Sequence, residues 1–177
     1  MIILQRELKP LALDDVRWAN PEQLHLTLKF LGNVPVASLE AVKLSLSEAC
    51  AEILPFSLRA KGTGFFQNER HPRVIWVGFE DDGNVLEDLQ RRVELLLAPF
   101  AEKPGAENFL PHTTLGRFQK YRRYKTEQLM PRALAHQHRV FGEWRVEEVI
   151  LFRSELSPSG ARHSPVVFFP FGAKLGR

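Results

Sequence analysis

Apolar and polar positions alternate strictly through residues 24–30. Leu24, Leu26, Leu28 and Phe30 fall on one face, and His25, Thr27 and Lys29 on the other. That period predicts a half-buried β-strand, which Gly32-Asn33 would end. The pattern then changes to that of a helix. Ser38 is a good N-cap for a helix reaching about residue 54, with Leu39, Val42, Leu46, Ala49, Cys50 and Ile53 on its apolar side and Pro55 beyond its end. Residues 56–60 alternate again as a short strand. Residues 73–80 are apolar on both faces and so predict a central strand. After the turn Asp82-Gly83-Asn84 comes a second helix, with Leu86, Leu89, Val93, Leu96, Leu97 and Phe100 on its apolar side. A strand over 112–118, an irregular or helical piece near 127–135, and strands over 147–152 and 165–171 complete the chain, with Ser157-Pro158-Ser159-Gly160 as a turn. Strands and helices mixed in this way predict an α+β fold, its antiparallel sheets covered by helices on one side.

The apolar positions of the two helices coincide when one is shifted by 47 residues (39 onto 86, 53 onto 100). A second duplication accompanies this one. His25-Leu26-Thr27-Leu28 and His112-Thr113-Thr114-Leu115 both place a histidine and a threonine two residues apart. The first helix follows its histidine segment and the second precedes it, so a tandem repeat does not fit. Two similar lobes, with chain segments crossing between them, do fit.

Composition narrows the class. With 177 residues, 44% hydrophobic and 25% charged, the chain is long enough for a substantial core and is neither disordered nor membrane-like in composition. Its apolar runs are too short to span a bilayer, and no basic stretch followed by an apolar one marks a signal peptide, so a cytoplasmic protein is expected. The single cysteine, Cys50, permits no intrachain disulfide and is expected to be a buried thiol. The net charge of +3 permits an acidic partner without requiring one. Lys120-Tyr121-Arg122-Arg123-Tyr124-Lys125 surrounds two aromatics with four cations; it reads either as a flank for RNA or as a solvated loop.

The chemistry lies in the duplicated segments. Residues i and i+2 of a strand share a face, so each segment can offer one imidazole and one hydroxyl. Imidazoles move protons near neutral pH, and hydroxyls bond phosphate oxygens. Two such pairs, His25 with Thr27 and His112 with Thr114, point to phosphoester chemistry run by acid and base without a metal or cofactor. Lys29 shares the face of His25 and Thr27. Arg117 has the opposite parity to His112, so strict alternation turns it away, and a β-bulge or strand twist would recover it. Both are candidate substrate-binding helpers. His71 lies in a polar turn, the role of His163 is open, and His136 with His138 forms half a metal site with no cysteine cluster or H-E-x-x-H helix beside it.

The segments VRWANPEQLHLTLKFLGNV, HPRVIWVGF, FLPHTTLGRF and LFRSELSPSGARHSPV together resemble the 2H phosphoesterases, in particular the LigT-like RNA 2′,3′-cyclic phosphodiesterases, formerly called 2′-5′ RNA ligases. The resemblance runs from about Val16 to the C-terminus. It implies one bilobal domain over 1–177, built of pseudo-symmetric lobes, each an antiparallel sheet with helices on its outer face, and an active cleft between them. It implies hydrolysis of a terminal RNA 2′,3′-cyclic phosphate to a 2′-phosphate, with His25 as proton donor, His112 as acceptor, and Thr27 and Thr114 holding the nonbridging oxygens. The partners implied are RNA ends or small cyclic-phosphate nucleotides, with no membrane and no obligate protein partner. Action on a 2′-5′ junction or a small cyclic nucleotide, RNA or nucleotide binding without turnover, and, more distantly, a metallohydrolase through His136 and His138 are the competing readings. Two departures stand out. The sequence ahead of Trp18 looks as if it lacks the family's usual opening strand, of the type LFxAIDLP, and keeps only the end of the first helix, which is expected to leave backbone groups exposed or to invite pairing with another chain. His163 stands where relatives often carry tyrosine.

Overall fold

The computed structural model describes residues 1–67, 71–105, 108–120, 123–157 and 160–172. Its helices are α1 (Ile2–Ala12), α2 (Leu39–Ala51), α3 (Val85–Leu97) and α4 (Arg123–Leu134). Its strands are β1 (Val16–Trp18), β2 (Phe56–Gln67), β3 (Pro72–Glu80), β4 (His112–Phe118), β5 (Val140–Val146), β6 (Glu148–Ser157) and β7 (Gly160–Pro170). The chain divides into two compact units. The first is Met1–Thr27, Leu58–Glu80 and Leu110–Trp144; the second is Leu28–Ser57, Asp81–Phe109 and Arg145–Arg177.

The first unit holds a five-stranded sheet in the order β1-β4-β3-β2-β5. β3, expected to be central, is central, and β1–β4, β4–β3 and β3–β2 are antiparallel. One face of this sheet is the core. Ile75, Val77 and Leu115 are fully buried there, and Phe65 meets Phe118. Helix α1 turns Leu4, Leu8 and Ala12 inward at helical spacing, and α4 packs on it with Leu129 and Ala133 buried. Buried polar groups tie helices to strands. The Gln5 Nε2 donates to the carbonyls of Ala19 (2.9 Å) and Leu115 (3.0 Å), and the Thr63 hydroxyl donates to the Ala133 carbonyl.

The second unit pairs the β6–β7 hairpin with α2 and α3, which pack on each other. Their apolar stripes are the expected ones: Val42, Leu46, Ala49 and Cys50 on α2, and Leu86, Leu89, Val93 and Leu97 on α3, are all buried. Cys50 is a free, buried thiol, and desolvation raises its pKa to about 11. Phe56 stacks on Phe171 with ring centroids 5.9 Å apart. Gly32 takes a left-handed φ of 76° beside the Glu102 carboxylate, which accepts from the Asn33 backbone N–H (2.9 Å) and side-chain amide (2.8 Å). A side chain at Gly32 would collide with that carboxylate.

Several expectations change. Residues 24–30 form no ladder, and Phe30 is 76% exposed. Asn20 caps a short 3-10 turn over Pro21–Gln23 after β1, and residues 24–30 pair with no strand among the described residues. The two helices of matching pattern both lie in the second unit, so their shared spacing reflects packing on each other rather than one helix per lobe. The strand expected over 56–60 extends to Gln67. Strands β1 and β5 were not anticipated. The tip of the turn at residues 158–159 lies outside the described residues. No helix among the described residues is long and apolar enough to cross a membrane.

Candidate active site

Strand β4 positions the second histidine segment. Thr113 and Leu115 point into the core, 1% and 0% exposed, so His112 and Thr114 face the other way. Gly78 pairs with His112 and Trp76 with Thr114. The open face carries an aromatic floor. Trp76 lies over Gly64 so closely that a Cβ there would sit 2.2 Å from the indole. Phe66 meets Trp76 at 5.7 Å and the His112 ring edge-on at 4.7 Å. Phe66 and Trp76 went unnoticed in the sequence because they look like ordinary strand aromatics.

The register also settles where Arg117 stands. Ile75 pairs with Gly116 and Trp76 with Thr114, so Leu115 is an extra residue in β4. This bulge reverses the parity beyond it. Arg117 then pairs with Val74, two residues from Trp76 on β3, and joins the face of Thr114 and His112.

The first histidine segment leaves the same part of the sheet. Beyond β1, the Ala19 N–H donates to the Leu115 carbonyl at 2.9 Å. The 3-10 turn follows, and then His25, exposed, and Thr27, half-buried. Both belong to the first unit, as do His112 and Thr114. The two histidines share one detail: His25 Nδ1 lies 2.7 Å from the Gln23 carbonyl, and His112 Nδ1 lies 2.7 Å from the Leu110 carbonyl. A carbonyl only accepts, so each Nδ1 carries the proton. The bond therefore assigns Nε2 of each ring as the nitrogen left for chemistry.

Lys29 does not share that open setting. It belongs to the second unit, its side chain is 2% exposed, and its ammonium is hydrogen-bonded to Glu94 of α3. Glu94 also accepts from the Gly105 N–H at 3.0 Å. The Lys29 hydrogen bond leads the influences that hold the Glu94 carboxyl below its usual range. Alternation placed Lys29 beside His25 and Thr27; with no ladder over 24–30, that parity has no force. Nothing in the sequence marked Glu94 as its partner.

Two of the other histidines have partners away from these segments. His136 bonds Glu7 at 3.2 Å, and Arg132 shares that carboxylate at 2.7 Å. His163 Nδ1 lies 2.9 Å from the Ser154 hydroxyl. Among the described residues no group of three metal-ligating side chains forms. The side chains of residues 121–125 in the basic hexamer lie outside the described residues.

Residues 2–76 match the model of the LigT-like phosphoesterases. A protein of Aquifex aeolicus named RNA 2′,3′-cyclic phosphodiesterase is 32% identical over 157 residues, covering 88% of this chain and 82% of its own. The chain belongs to the LigT-like (2H) phosphoesterase family. A relative of the same name in Thermus thermophilus is 39% identical over 163 residues, 89% of this chain and 76% of its own. A solved structure from Thermus thermophilus superposes with a TM-score of 0.74 at 30% identity, covering 98% of this chain and 90% of that one. The structure of E. coli LigT complexed with 3′-AMP shares the fold, with a TM-score of 0.70 at 19% identity over 98% and 94% of the two chains. These neighbours share the α+β fold seen here.

Proposed function

We propose that the protein hydrolyses the terminal 2′,3′-cyclic phosphate of RNA to a 2′-phosphate, using His25 and His112 as its acid and base. The observation that carries this reading is the repeated restraint of the two rings. Each imidazole is held at Nδ1 by the carbonyl two residues earlier, at the same distance, with a threonine two residues later. One such residue would be an ordinary surface histidine; the same arrangement built twice in one unit is a matched pair. The names of the relatives in Aquifex aeolicus, Methanothermobacter thermautotrophicus and Thermus thermophilus, each RNA 2′,3′-cyclic phosphodiesterase, support the substrate class.

In this mechanism His112 starts neutral, and its Nε2 takes a proton from water as the oxygen attacks phosphorus. His25 starts as the imidazolium, and its Nε2–H gives a proton to the 3′ oxygen as the P–O3′ bond breaks. A 3′-hydroxyl and a 2′-phosphate result. Thr27 and Thr114 donate to the nonbridging oxygens, where charge grows in the transition state. Arg117 adds positive charge on the His112 face. Lys29 serves structurally, through Glu94. Both proton transfers are complete without a metal.

An oligoribonucleotide ending in a 2′,3′-cyclic phosphate, incubated in EDTA, is expected to be opened at an undiminished rate, with ³¹P NMR placing the phosphate on O2′. Loss of activity in EDTA restored by zinc, a 3′-phosphate product, or tight binding without turnover would each overturn the reading.

A further inference from the structure

The bulge that brings Arg117 onto the His112–Thr114 face brings a second cation with it. In the antiparallel register of β1 and β4, Arg17 pairs directly with Arg117. Its neighbours Val16 and Trp18 lie on the opposite face, since a Cβ at Gly116 would meet Val16 Cγ1 at 2.6 Å and Trp18 at 3.2 Å. Arg17 and Arg117 are both exposed. Directly opposed residues stand with Cβ atoms roughly 5 Å apart, and like charges in that position repel. Among the described residues no carboxylate forms an ion pair with Arg117. A strand pair that sets two exposed arginines directly opposite one another, beside the proposed site for phosphate chemistry, suits the binding of an anion.

We propose that Arg17 and Arg117 together grip the backbone phosphate next to the reacting end, so that the enzyme discriminates an RNA chain from a single nucleotide. This rests on the reading of the site given above. The spacing fits. Thr114 and Arg117 pair with Trp76 and Val74, two residues apart on β3, which puts them roughly 7 Å apart along the sheet. That is about the step between neighbouring phosphates of an extended strand. With Thr114 on the cyclic phosphate, the arginine pair meets the next phosphate. A mononucleoside cyclic phosphate has none to offer. Arg17 is thus a substrate-contacting residue outside the duplicated histidine segments, and it determines substrate length.

The test compares a mononucleoside 2′,3′-cyclic phosphate with a trinucleotide carrying the same end, using the wild-type chain, Arg17→Ala and Arg17→Lys. The wild type is expected to favour the trinucleotide in kcat/KM, mainly through KM. Arg17→Ala is expected to reduce that preference at least tenfold and to lower the salt dependence of trinucleotide binding by about one phosphate contact. Arg17→Lys, which keeps the charge, is expected to retain the preference within about threefold. Equal losses on both substrates, or an unchanged preference in Arg17→Ala, would overturn the proposal. If the wild type turns over neither substrate, the acid–base reading fails. Binding of the trinucleotide by fluorescence anisotropy then decides the arginine proposal by itself: weaker and less salt-dependent binding in Arg17→Ala upholds it, and unchanged binding refutes it.

Discussion

An imidazole tethered at Nδ1 exchanges protons only through Nε2, and the tether also holds the ring against rotation. His25 and His112 are both held this way, so under the proposed mechanism replacing either removes one of its two proton transfers. His25→Ala and His112→Ala are each expected to lower the rate of cyclic-phosphate opening at least ~100-fold, with melting temperatures close to that of the parent. A rate within a fewfold of wild type in either variant would remove that residue from the mechanism. Lys29 is held by a charge instead. Its buried ammonium depends on Glu94, so Glu94→Gln leaves a charge without its counter-ion, at a cost on the order of 2 kcal/mol at pH 7. Because the folded-state pKa of Glu94 is depressed, its contribution is present above the ordinary glutamate range and is lost as pH falls through the lower folded value. Urea unfolding at pH 7 and again near pH 3 is expected to show the gap between wild type and Glu94→Gln narrowing in acid. A constant gap would rule out the ion pair as its source.

At the level of elements, the bulge in β4 and the contact of β1 with Gly116 decide what the sheet presents. Adding a methyl group at Gly116 would press on Val16 and push β1 away from β4. Gly116→Ala is therefore expected to cost about 1–3 kcal/mol and to lower catalysis too, since β1 leads the chain to His25. Calorimetry showing no loss would mean that β1 adjusts freely. The same elements show what could be read in advance. The stripes of α2 and α3 were legible because helix periodicity records burial directly. β3 was legible because both of its faces are apolar. The alternation over 24–30 misled, since a pattern states which face could be buried but not whether a neighbouring strand exists. Arg117 was legible only up to its parity: the bulge at Leu115 is a property of the pairing between β3 and β4. Arg17 was missed for the same reason, because its importance comes from the residue opposite it. The histidine and threonine of each segment stand out in the sequence because they recur, whereas the carbonyl tethers of the rings depend on backbone direction.

For the whole molecule, each compact unit is assembled from three separate stretches, and the chain passes from one unit to the other five times. Neither unit can be cut out as a continuous piece, and opening one leaves long loops strung across the other. Trp18, Trp76 and Trp144 all belong to the first unit, while the helical circular dichroism arises from both. Tryptophan fluorescence and circular dichroism are expected to give superimposable urea transitions. Two separated midpoints would show that the units fold independently.

Cys50 adds a convenience that nature did not need. The only sulfhydryl of the chain is buried on α2 and held in its unreactive protonated form, so an alkylating reagent can mark it only in molecules whose second unit has come apart. The pace of that labelling under native conditions is a clock for rare openings, started without introducing a single probe.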